Sequence, residues 1–235
     1  MTRAPATDPM AADRRRALEL VPVSRETIRR LEIYVDRLRR WQAIKNLVAP
    51  STLDQIWTRH VADSAQIVAY APPSARRWVD LGSGAGFPGL VVGIMLADQA
   101  GTCVHLIESN ARKCAFLRDV IRATSAAAEV HNGSIEEVLP TLKDVDVITA
   151  RALAPLPVLL EMGKLPLSRG ASAIFLKSEG EAEFAAIGNE FGRRSIEFSR
   201  TSDKGRILVI RPVSRTGADP DSSNDSASSQ EGSRT

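Results

Sequence analysis

Residues 79–89 have the sequence VDLGSGAGFPG, which follows a predicted strand and opens a predicted helix. Glycine permits positive φ angles and close approach of the backbone to a ligand. A glycine-rich turn between the first strand and the first helix of an α/β unit is typical of Rossmann-like nucleotide-binding domains. The stretch therefore predicts a ligand site where the helix begins. A tight turn that binds nothing is the alternative.

Strand-like and helix-like segments alternate along the chain from this point. The predicted strands are Trp78–Leu81, Cys103–Ile107, Ala128–His131, Val145–Thr149, Ala171–Leu176, Ser195–Ser199 and Arg206–Ile210. The predicted helices between them are Pro88–Ala97, Ala111–Ala123, Ile135–Leu139, Leu156–Met162 and Glu181–Phe191. This alternation predicts a mainly parallel sheet covered on both faces. Only residues 200–205 join the last two strands, which is too short for a parallel crossover. We therefore predict a seven-stranded Rossmann-like sheet with an antiparallel last strand, the α/β variant of class I methyltransferases.

The flanking segments have a different composition. Ser24 is a predicted N-cap, and apolar residues follow it at helical spacing from Ile28 to Ile44. A second helix is predicted from Ser51 to Tyr70, and Trp41 and Trp57 are expected in the core rather than stacked on bases. The final residues are mostly small and polar, and cannot bury enough surface to become ordered. We expect residues 1–20 to be basic and disordered, 21–75 to be a helical extension packed on the main domain, 76–213 to be the methyltransferase domain, and 214–235 to be a disordered tail.

Charge is concentrated near the beginning of the chain. Residues 1–45 contain eleven Lys and Arg but six Asp and Glu, in a chain whose formal net charge is +3. A basic segment on a neutral body favours a polyanionic partner. Solvated Arg-rich helix faces are the alternative interpretation.

The cysteine and histidine pattern argues against a metal site. Cys103 and Cys114 form no CxxC motif, and we expect no cluster with the histidines His60, His105 and His131. A zinc site and a disulfide framework are therefore not expected. No signal peptide or membrane-spanning stretch is recognised, so a soluble, cytoplasmic protein is expected.

The glycine stretch matches both GxGxG and GxGxxG. Two neighbours favour the methyl donor S-adenosylmethionine over a dinucleotide. Asp80 is expected on the rim of the pocket, where an acid suits a cationic ligand. Pro88 has no backbone N–H at the helix start, where a dinucleotide pyrophosphate needs amides.

Further acidic residues follow the next two strands. Glu108 lies 22 residues after Gly86, where a carboxylate accepts hydrogen bonds from ribose hydroxyls; capping of the helix at Ala111 is the alternative. Ile135 and Glu136 follow the third strand and are expected beside the adenine. Glu136 and Glu137 have the alternative role of charges at a helix N-terminus.

An ordered set of motifs resembles the RsmG family, also called glucose-inhibited division protein B. The set comprises Lys45-Asn46-Leu47, Arg59-His60-Val61-Ala62-Asp63-Ser64, the glycine stretch, Arg112-Lys113, Arg151-Ala152-Leu153-Ala154-Pro155-Leu156 and Leu176-Lys177. It extends from about residue 25 to 212. The chain departs from the family pattern at Leu47-Val48, where many members have Leu-Thr, and at Lys177-Ser178-Glu179, where Lys-Gly is common. Neither departure is expected to touch the donor loop.

The resemblance implies methylation of N7 of one guanine in 16S ribosomal RNA of the small subunit. It also implies that Gly82, Phe87, Ile135, Glu136 and Arg151 contact the donor. The expected S-adenosylmethionine-binding residues are therefore Asp80, Gly82, Gly84, Phe87, Glu108, Ile135, Glu136 and Arg151. The candidate RNA contacts are Arg59, His60, Arg112, Lys113 and Lys177. Packing or capping is the alternative for His60.

Guanine N7 carries a free lone pair, so this chemistry requires no general base and no catalytic residue is assigned. Positioning and electrostatics are expected to supply the catalysis, and the protein is expected to be a monomer. Three alternatives remain open. They are a methyltransferase acting on a protein or small molecule, an NAD-dependent oxidoreductase using GxGxxG, and a non-catalytic RNA-binding module.

Overall fold

The computed structural model describes residues 8–43, 47–178, 184 and 191–212. Its centre is a seven-stranded sheet. The strands are β1 (Arg77–Leu81), β2 (Cys103–Glu108), β3 (Ala128–Asn132), β4 (Val147–Arg151), β5 (Ser172–Lys177), β6 (Arg193–Phe198) and β7 (Arg206–Arg211). Their spatial order is β3-β2-β1-β4-β5-β7-β6. Strands β1 to β5 pair in parallel, whereas β7 is antiparallel to both β5 and β6. The predicted fold class is confirmed.

Seven α-helices flank or precede the sheet. They are α1 (Pro9–Leu20), α2 (Arg25–Gln42), α3 (Asp63–Ala65), α4 (Gly89–Met95), α5 (Ala111–Thr124), α6 (Ile135–Val138) and α7 (Leu156–Ser168) among the described residues. The predicted helix Glu181–Phe191 lies outside the described residues except for Phe184, which is buried, and Phe191. The predicted tail at 214–235 also lies outside them. Among the described residues, no helix combines the length and apolar character that crossing a membrane requires.

The start of the chain is helical, contrary to the prediction from its sequence. The sequence predicts disorder over residues 1–20, but Pro9–Leu20 form α1. The Asp8 side chain caps this helix by accepting a hydrogen bond from the Met10 amide at 3.1 Å. Ala17 is buried, and Asp13 accepts a hydrogen bond from the Trp57 amide at 2.8 Å. The partner of Asp13 lies far along the chain, so local composition did not reveal this contact.

The predicted helix from Ser51 to Tyr70 is helical but not uniform. A 3₁₀ segment covers Pro50–Gln55, a π-helix covers Trp57–Ala62, and a second 3₁₀ segment follows α3 at Gln66–Tyr70. The Asp13 carboxylate accepts from the Trp57 and Thr58 amides at the point where the π-helix begins. Short π-helical segments are frequent at functional sites, and this one contains Arg59 and His60.

Two hydrophobic clusters lie on opposite faces of the sheet. Helix α2 buries Leu31, Tyr34, Val35 and Leu38 in the first cluster. Trp57 is almost fully buried in the core, as predicted, whereas Trp41 is partly buried and packs edge-on against Phe116 at the side of this cluster. The apolar stripe of α2 therefore fixes the helical extension to the main domain.

One strand is shifted from its predicted position. The sequence predicts the fourth strand at Val145–Thr149, and it is observed at Val147–Arg151. The Asp146 carboxylate accepts hydrogen bonds from the amides of Arg76 and Arg77, both at 2.8 Å, and this fixes the residues before the strand in a loop. The shift places Arg151 at the carboxyl end of β4, beside the glycine loop.

Candidate functional site

A cavity of about 580 Å³ opens at the carboxyl ends of β1, β2 and β4. Open α/β sheets bind ligands at this edge, where the connections from neighbouring strands diverge to opposite faces. The volume lies within the usual range for small-molecule sites. The lining residues are Leu47, Val48, Ala49, His60, Gly82, Ser83, Gly84, Ala85, Phe87, Ile107, Glu108, Ser109, Lys113, Gly133, Ser134, Ile135, Glu136, Arg151, Ala152 and Leu153.

The glycine loop forms the floor of this cavity. Gly82, Gly84 and Gly86 have φ angles of +64°, +57° and +99°. A Cβ atom at Gly82 would lie 2.6 Å from Leu153, whereas one at Gly84 would have no neighbour closer than 3.8 Å. The positive φ angle favours glycine at position 82, and a Cβ there would also displace the end of the Leu153 side chain. Gly84 leaves open space on the cavity side, which a side chain would fill.

Glu108 holds the loop from the end of β2. Its carboxylate accepts hydrogen bonds from the Gly84 amide at 2.9 Å and from the Asn110 amide at 2.8 Å. Asn110, not Glu108, caps α5 by accepting from the Arg112 and Lys113 amides. Each carboxylate oxygen has a second lone pair, so Glu108 keeps acceptor capacity toward the cavity it lines.

The sequence suggested that Asp80 lies on the rim of the pocket, and this prediction is wrong. Asp80 is fully buried within β1, where its Oδ1 accepts a hydrogen bond from Thr149 at 2.8 Å. Burial raises its pKa to about 6, although the Thr149 hydrogen bond opposes that shift. A Cβ at Gly89 would lie 2.4 Å from the Asp80 Cβ, so α4 packs directly on this residue. Asp80 therefore supports the glycine loop from the protein interior.

Ile135 and Glu136 line the cavity at the start of α6. Ser134 caps this helix in a capping box with Glu137, whose carboxylate accepts from the Ser134 amide. Both Glu136 and Glu137 lie in the first turn of α6, as the alternative of charges at a helix N-terminus requires, and Glu136 is exposed and also lines the cavity. The loop that follows β3 thus contributes one wall.

Arg151 lies at the junction of this cavity with a second depression. Its Nη2 donates to the Arg59 carbonyl at 3.0 Å, and its Nε lies 3.6 Å from Asp63 Oδ2. Its buried Nη1 has no hydrogen-bond partner among the described residues. Burial lowers the pKa of Arg151, and the Asp63 charge opposes that shift. One edge of the guanidinium is therefore anchored while another remains available to an acceptor.

The second depression has a volume of about 670 Å³ and lies beside β4 and β5. It is lined by Arg59, Asp63 and Lys177 together with Ser178 and the turn at 201–205, and it shares Arg151 and Ala152 with the first cavity. Ala152 has a φ angle of +50°, which few residues other than glycine adopt. Backbone strain of this kind is concentrated at functional sites.

His60 is not the surface cation expected of an RNA contact. It is only 9% exposed and stacks on Phe87 with ring centroids 4.9 Å apart. Its Nε2 lies 2.8 Å from Thr52 Oγ1, and that hydroxyl donates to the Ala49 carbonyl. Nε2 is therefore the donor, and Nδ1 carries a lone pair. Burial and the charges of Arg151 and Arg59 lower the pKa of His60 to about 3, so the ring is neutral.

The other four candidate RNA contacts lie around the openings of the two cavities. Arg59 is exposed and Lys177 is half-buried, with its Nζ donating to the Ala154 carbonyl at 3.3 Å. Lys113 lines the first cavity from the first turn of α5, and Arg112 is exposed beside it. The structure therefore divides the five RNA candidates into four surface cations and one buried neutral histidine.

The helical extension contributes to the site in two ways that the sequence did not predict. Tyr34 of α2 is buried and its hydroxyl bonds to Ala85 in the glycine loop. Leu47 and Val48, where the chain departs from the family pattern, line the same cavity as the glycine loop. The Gln42 side chain positions them by accepting from the amides of both residues. Lys45 and Asn46 lie outside the described residues.

The expectation of no cysteine–histidine cluster is also wrong. Cys103, His105 and Glu129 place their ligand atoms within 4.8 Å of one another, and His105 bonds to His131. Parallel pairing of β2 with β3 brings these residues together, which their separation in the sequence concealed. Cys114 is buried away from this group on α5.

The strand order, the antiparallel β7 and the cavity at the carboxyl edge define the chain as a protein of the class I methyltransferase fold. Two solved structures share this fold: a methyltransferase from Geobacter sulfurreducens (TM-score 0.54, 14% identity, 77% of this chain and 88% of that chain), and cofactor-bound Rv0187 from MTB (TM-score 0.58, 14% identity, 89% and 99%). At such identities the likeness shows the fold alone.

The family is established by sequence. Residues 27–201 match GidB, described as rRNA small subunit methyltransferase G, and the chain belongs to this family. It is similar to a ribosomal RNA small subunit methyltransferase G of Methylorubrum extorquens, with 45% identity over 204 residues that cover 86% of this chain and 96% of that protein. The protein of the same name from Rhodopseudomonas palustris is 50% identical over 179 residues, 75% of this chain and 76% of that protein.

Proposed function

We propose that the chain transfers the methyl group of S-adenosylmethionine to N7 of one guanine in 16S ribosomal RNA of the small subunit. The observation that carries this proposal is the junction of two cavities at Arg151 and Ala152 in a member of the rRNA small subunit methyltransferase G family. A methyl transfer needs a donor and an acceptor in contact, and two adjoining cavities provide that arrangement.

The residues of the first cavity fit the proposed donor. Gly84 leaves open space beside the carboxylate of Glu108, which suits ribose hydroxyls. Ile135 offers an apolar surface for a purine, and Phe87 another for the rest of the molecule. The unpartnered Nη1 of Arg151 suits the donor carboxylate or another acceptor oxygen. When bound, S-adenosylmethionine supplies a methyl group already activated by its sulfonium.

The chain's own contribution is positioning. Guanine N7 has a free lone pair in the major groove, so no proton has to be removed. His60, the histidine that lines the donor cavity among the described residues, has a pKa of about 3 and is a weak base. A positive charge develops on the base during transfer, and a cation next to N7 would oppose it. We therefore assign Arg151 and Lys177 to acceptor oxygens, such as guanine O6 or phosphate, and not to N7.

The basic residues around the openings suit an RNA backbone. Arg59 and Lys177 line the second depression. Lys113 lines the first cavity, and Arg112 is the exposed residue before it in α5. Arg112 and Lys113 lie at the N-terminus of α5, where the helix dipole disfavours cations. This placement has no evident stabilising role in the folded chain. It is explained if these side chains contact phosphate in the complex.

The test is transfer of radiolabelled methyl from S-adenosylmethionine to small ribosomal subunits that lack this modification, followed by mapping of the labelled base. Fully modified subunits and free 16S RNA are the matched controls. Label at N7 of a single guanine in the unmodified subunits supports the proposal. Label at another atom, or no transfer to RNA despite tight donor binding, contradicts it and moves the substrate to a protein or small molecule.

A further inference from the structure

Four potential metal ligands lie on one face of the two strands at the β3 edge of the sheet. Cys103 and His105 are two residues apart on β2, and Glu129 and His131 are two apart on β3. Alternate residues of a strand project to the same side, and His105 lies directly opposite Glu129 in the parallel pair. The pairing therefore places a thiol, two imidazoles and a carboxylate side by side.

The distances within this group are compatible with a shared ion. The ligand atoms of Cys103, His105 and Glu129 all lie within 4.8 Å of one another. His105 Nδ1 lies 2.9 Å from His131 Nε2, so His131 holds the His105 ring in a fixed orientation. Nδ1 is also the ring nitrogen that lies 3.9 Å from Glu129 Oε2. An ion bound at Nε2 would keep the His131 hydrogen bond, which is the usual arrangement of a metal-bound histidine, whereas an ion bound at Nδ1 would replace it. Cys103 and His105 are partly exposed and Glu129 is mostly exposed, so an ion can enter from solvent.

We propose that Cys103, His105 and Glu129 bind one divalent transition-metal ion of the Zn²⁺ type, with His131 as the residue that orients His105. Thiolate and imidazole ligands select such ions over Mg²⁺ and Ca²⁺, which prefer oxygen ligands. Three protein ligands leave the fourth tetrahedral position to water. The site is separate from the methyl-donor cavity and does not depend on the proposed function.

The surrounding charges set the conditions for binding. The facing cation is Arg77 of β1, whose Cα pairs with that of Cys103; its guanidinium lies 3.5 Å from Asp144, which offsets its charge. Burial, His131 and Arg77 lower the pKa of His105, while Glu129 raises it. Burial and Glu129 raise the pKa of the Cys103 thiol. Metal binding must displace the thiol proton, so affinity rises with pH.

A bound ion would affect the neighbouring cavity. Strand β3 is an edge strand, hydrogen-bonded only to β2 within the sheet of described residues. It leads directly into Gly133, Ser134 and Ile135, which line the donor cavity. An ion shared by the two strands would therefore restrain the base of this wall.

The experiment titrates the full, reduced, metal-free chain, without any histidine tag, with Co²⁺. We expect one equivalent to bind, with the visible bands of tetrahedral Co²⁺ and a thiolate-to-cobalt charge-transfer band. Cys103→Ser should abolish the charge-transfer band. Cys114→Ser, which removes the chain's other thiol, should retain it. Failure of the full chain to bind one equivalent, or persistence of the band in Cys103→Ser, overturns the proposal.

Two further variants, at side chains that are exposed or partly exposed, test the ligand Glu129 and the orienting residue His131. Glu129→Gln replaces an exposed side chain and should weaken Co²⁺ binding at least about tenfold, whereas the exposed control Glu161→Gln should not change it. His131→Gln should weaken binding roughly 10–100-fold while keeping the charge-transfer band, as expected of an orienting residue. Zn²⁺ should also raise the unfolding temperature of the unsubstituted chain but not that of Cys103→Ser. Unchanged affinity in Glu129→Gln, or no thermal shift with Zn²⁺, contradicts the site.

Discussion

The buried hydroxyl of Tyr34 donates a hydrogen bond to the Ala85 carbonyl oxygen, with the two oxygens 2.6 Å apart. Tyr34 belongs to α2 of the helical extension, and Ala85 lies in the middle of the glycine loop. The Tyr34 ring also packs on Phe87, with centroids 5.3 Å apart. The extension therefore helps to hold the loop in the conformation that shapes the donor cavity.

Tyr34→Phe removes this hydroxyl but keeps the ring. The Ala85 carbonyl loses its donor in a buried position, which should lower the free energy of unfolding by about 1–3 kcal/mol. Donor affinity should fall several-fold because the loop is less well fixed. Thermal unfolding and calorimetric titration with S-adenosylmethionine measure both effects. Tyr70→Phe, a change at the chain's other tyrosine away from the cavity, is the matched control; equal effects in the two variants would exclude a specific role for Tyr34.

Glu108→Gln tests the carboxylate that links β2 to the glycine loop. A glutamine side chain has one acceptor oxygen, so it cannot accept from both the Gly84 and Asn110 amides and also from a ribose. Donor affinity should fall at least about tenfold, since hydrogen bonds to a charged group contribute about 1.5–3 kcal/mol each. Glu161→Gln on α7 is the control. Unchanged affinity would remove Glu108 from the donor site.

The order of the elements was predictable because local signals determined it. Strand–helix alternation and the short connection at residues 200–205 required a parallel sheet that ends in a hairpin. The glycine stretch located the cavity because its three positive φ angles are a property of that sequence. These features depend on neighbours in the chain, which a sequence displays directly.

The errors arose where distant residues decide the structure. Asp13 of α1 caps the segment at Trp57, which orders a stretch that its composition suggested was disordered. Cys103 and Glu129 meet only because β2 pairs with β3 in a particular register. His60 is neutral because burial and two arginines act on it together. No residue pattern near these positions indicated the partner.

Arg151→Lys tests the junction of the two cavities. Lysine keeps the positive charge but loses the planar fork that reaches the Arg59 carbonyl, Asp63 and the cavity together. Methyl transfer should slow by at least about tenfold, a loss of about 1.4 kcal/mol in the transition state. Single-turnover assays and donor titration separate the chemical step from binding. Arg122→Lys, on the exposed face of α5, should change neither quantity, and normal values for Arg151→Lys would exclude the residue from the site.

Arg59→Ala and Lys177→Ala test the proposed RNA contacts by salt dependence. Each lost phosphate contact should reduce the slope of log affinity against log salt by roughly 0.7–0.9. RNA binding should weaken for every sequence, while donor affinity remains close to that of the unsubstituted chain. Lys164→Ala on α7, whose ammonium pairs with Glu161, is the control. A slope that is flat in the unsubstituted chain, or unchanged in both variants, would count against phosphate binding here.

The buried His60 predicts a pH dependence of stability. Its pKa is about 3 in the folded chain and about 6.5 in an unfolded one. Between these values the unfolded chain binds the extra proton. The His60 contribution is therefore fully present above pH 6.5 and is lost as pH falls toward 3, by at most about 1.4 kcal/mol per pH unit.

Asp80 acts in the opposite direction: its raised pKa of about 6 contributes stability at low pH that is lost as pH rises through 6. The two effects partly cancel in the whole protein. Asp80 is present in both the unsubstituted chain and His60→Gln, so its contribution cancels in the difference between their free energies of unfolding. That difference should shrink as pH is lowered from 7.5 to 5. Denaturant titrations across that range measure it, and a difference independent of pH would show that His60 is not held neutral.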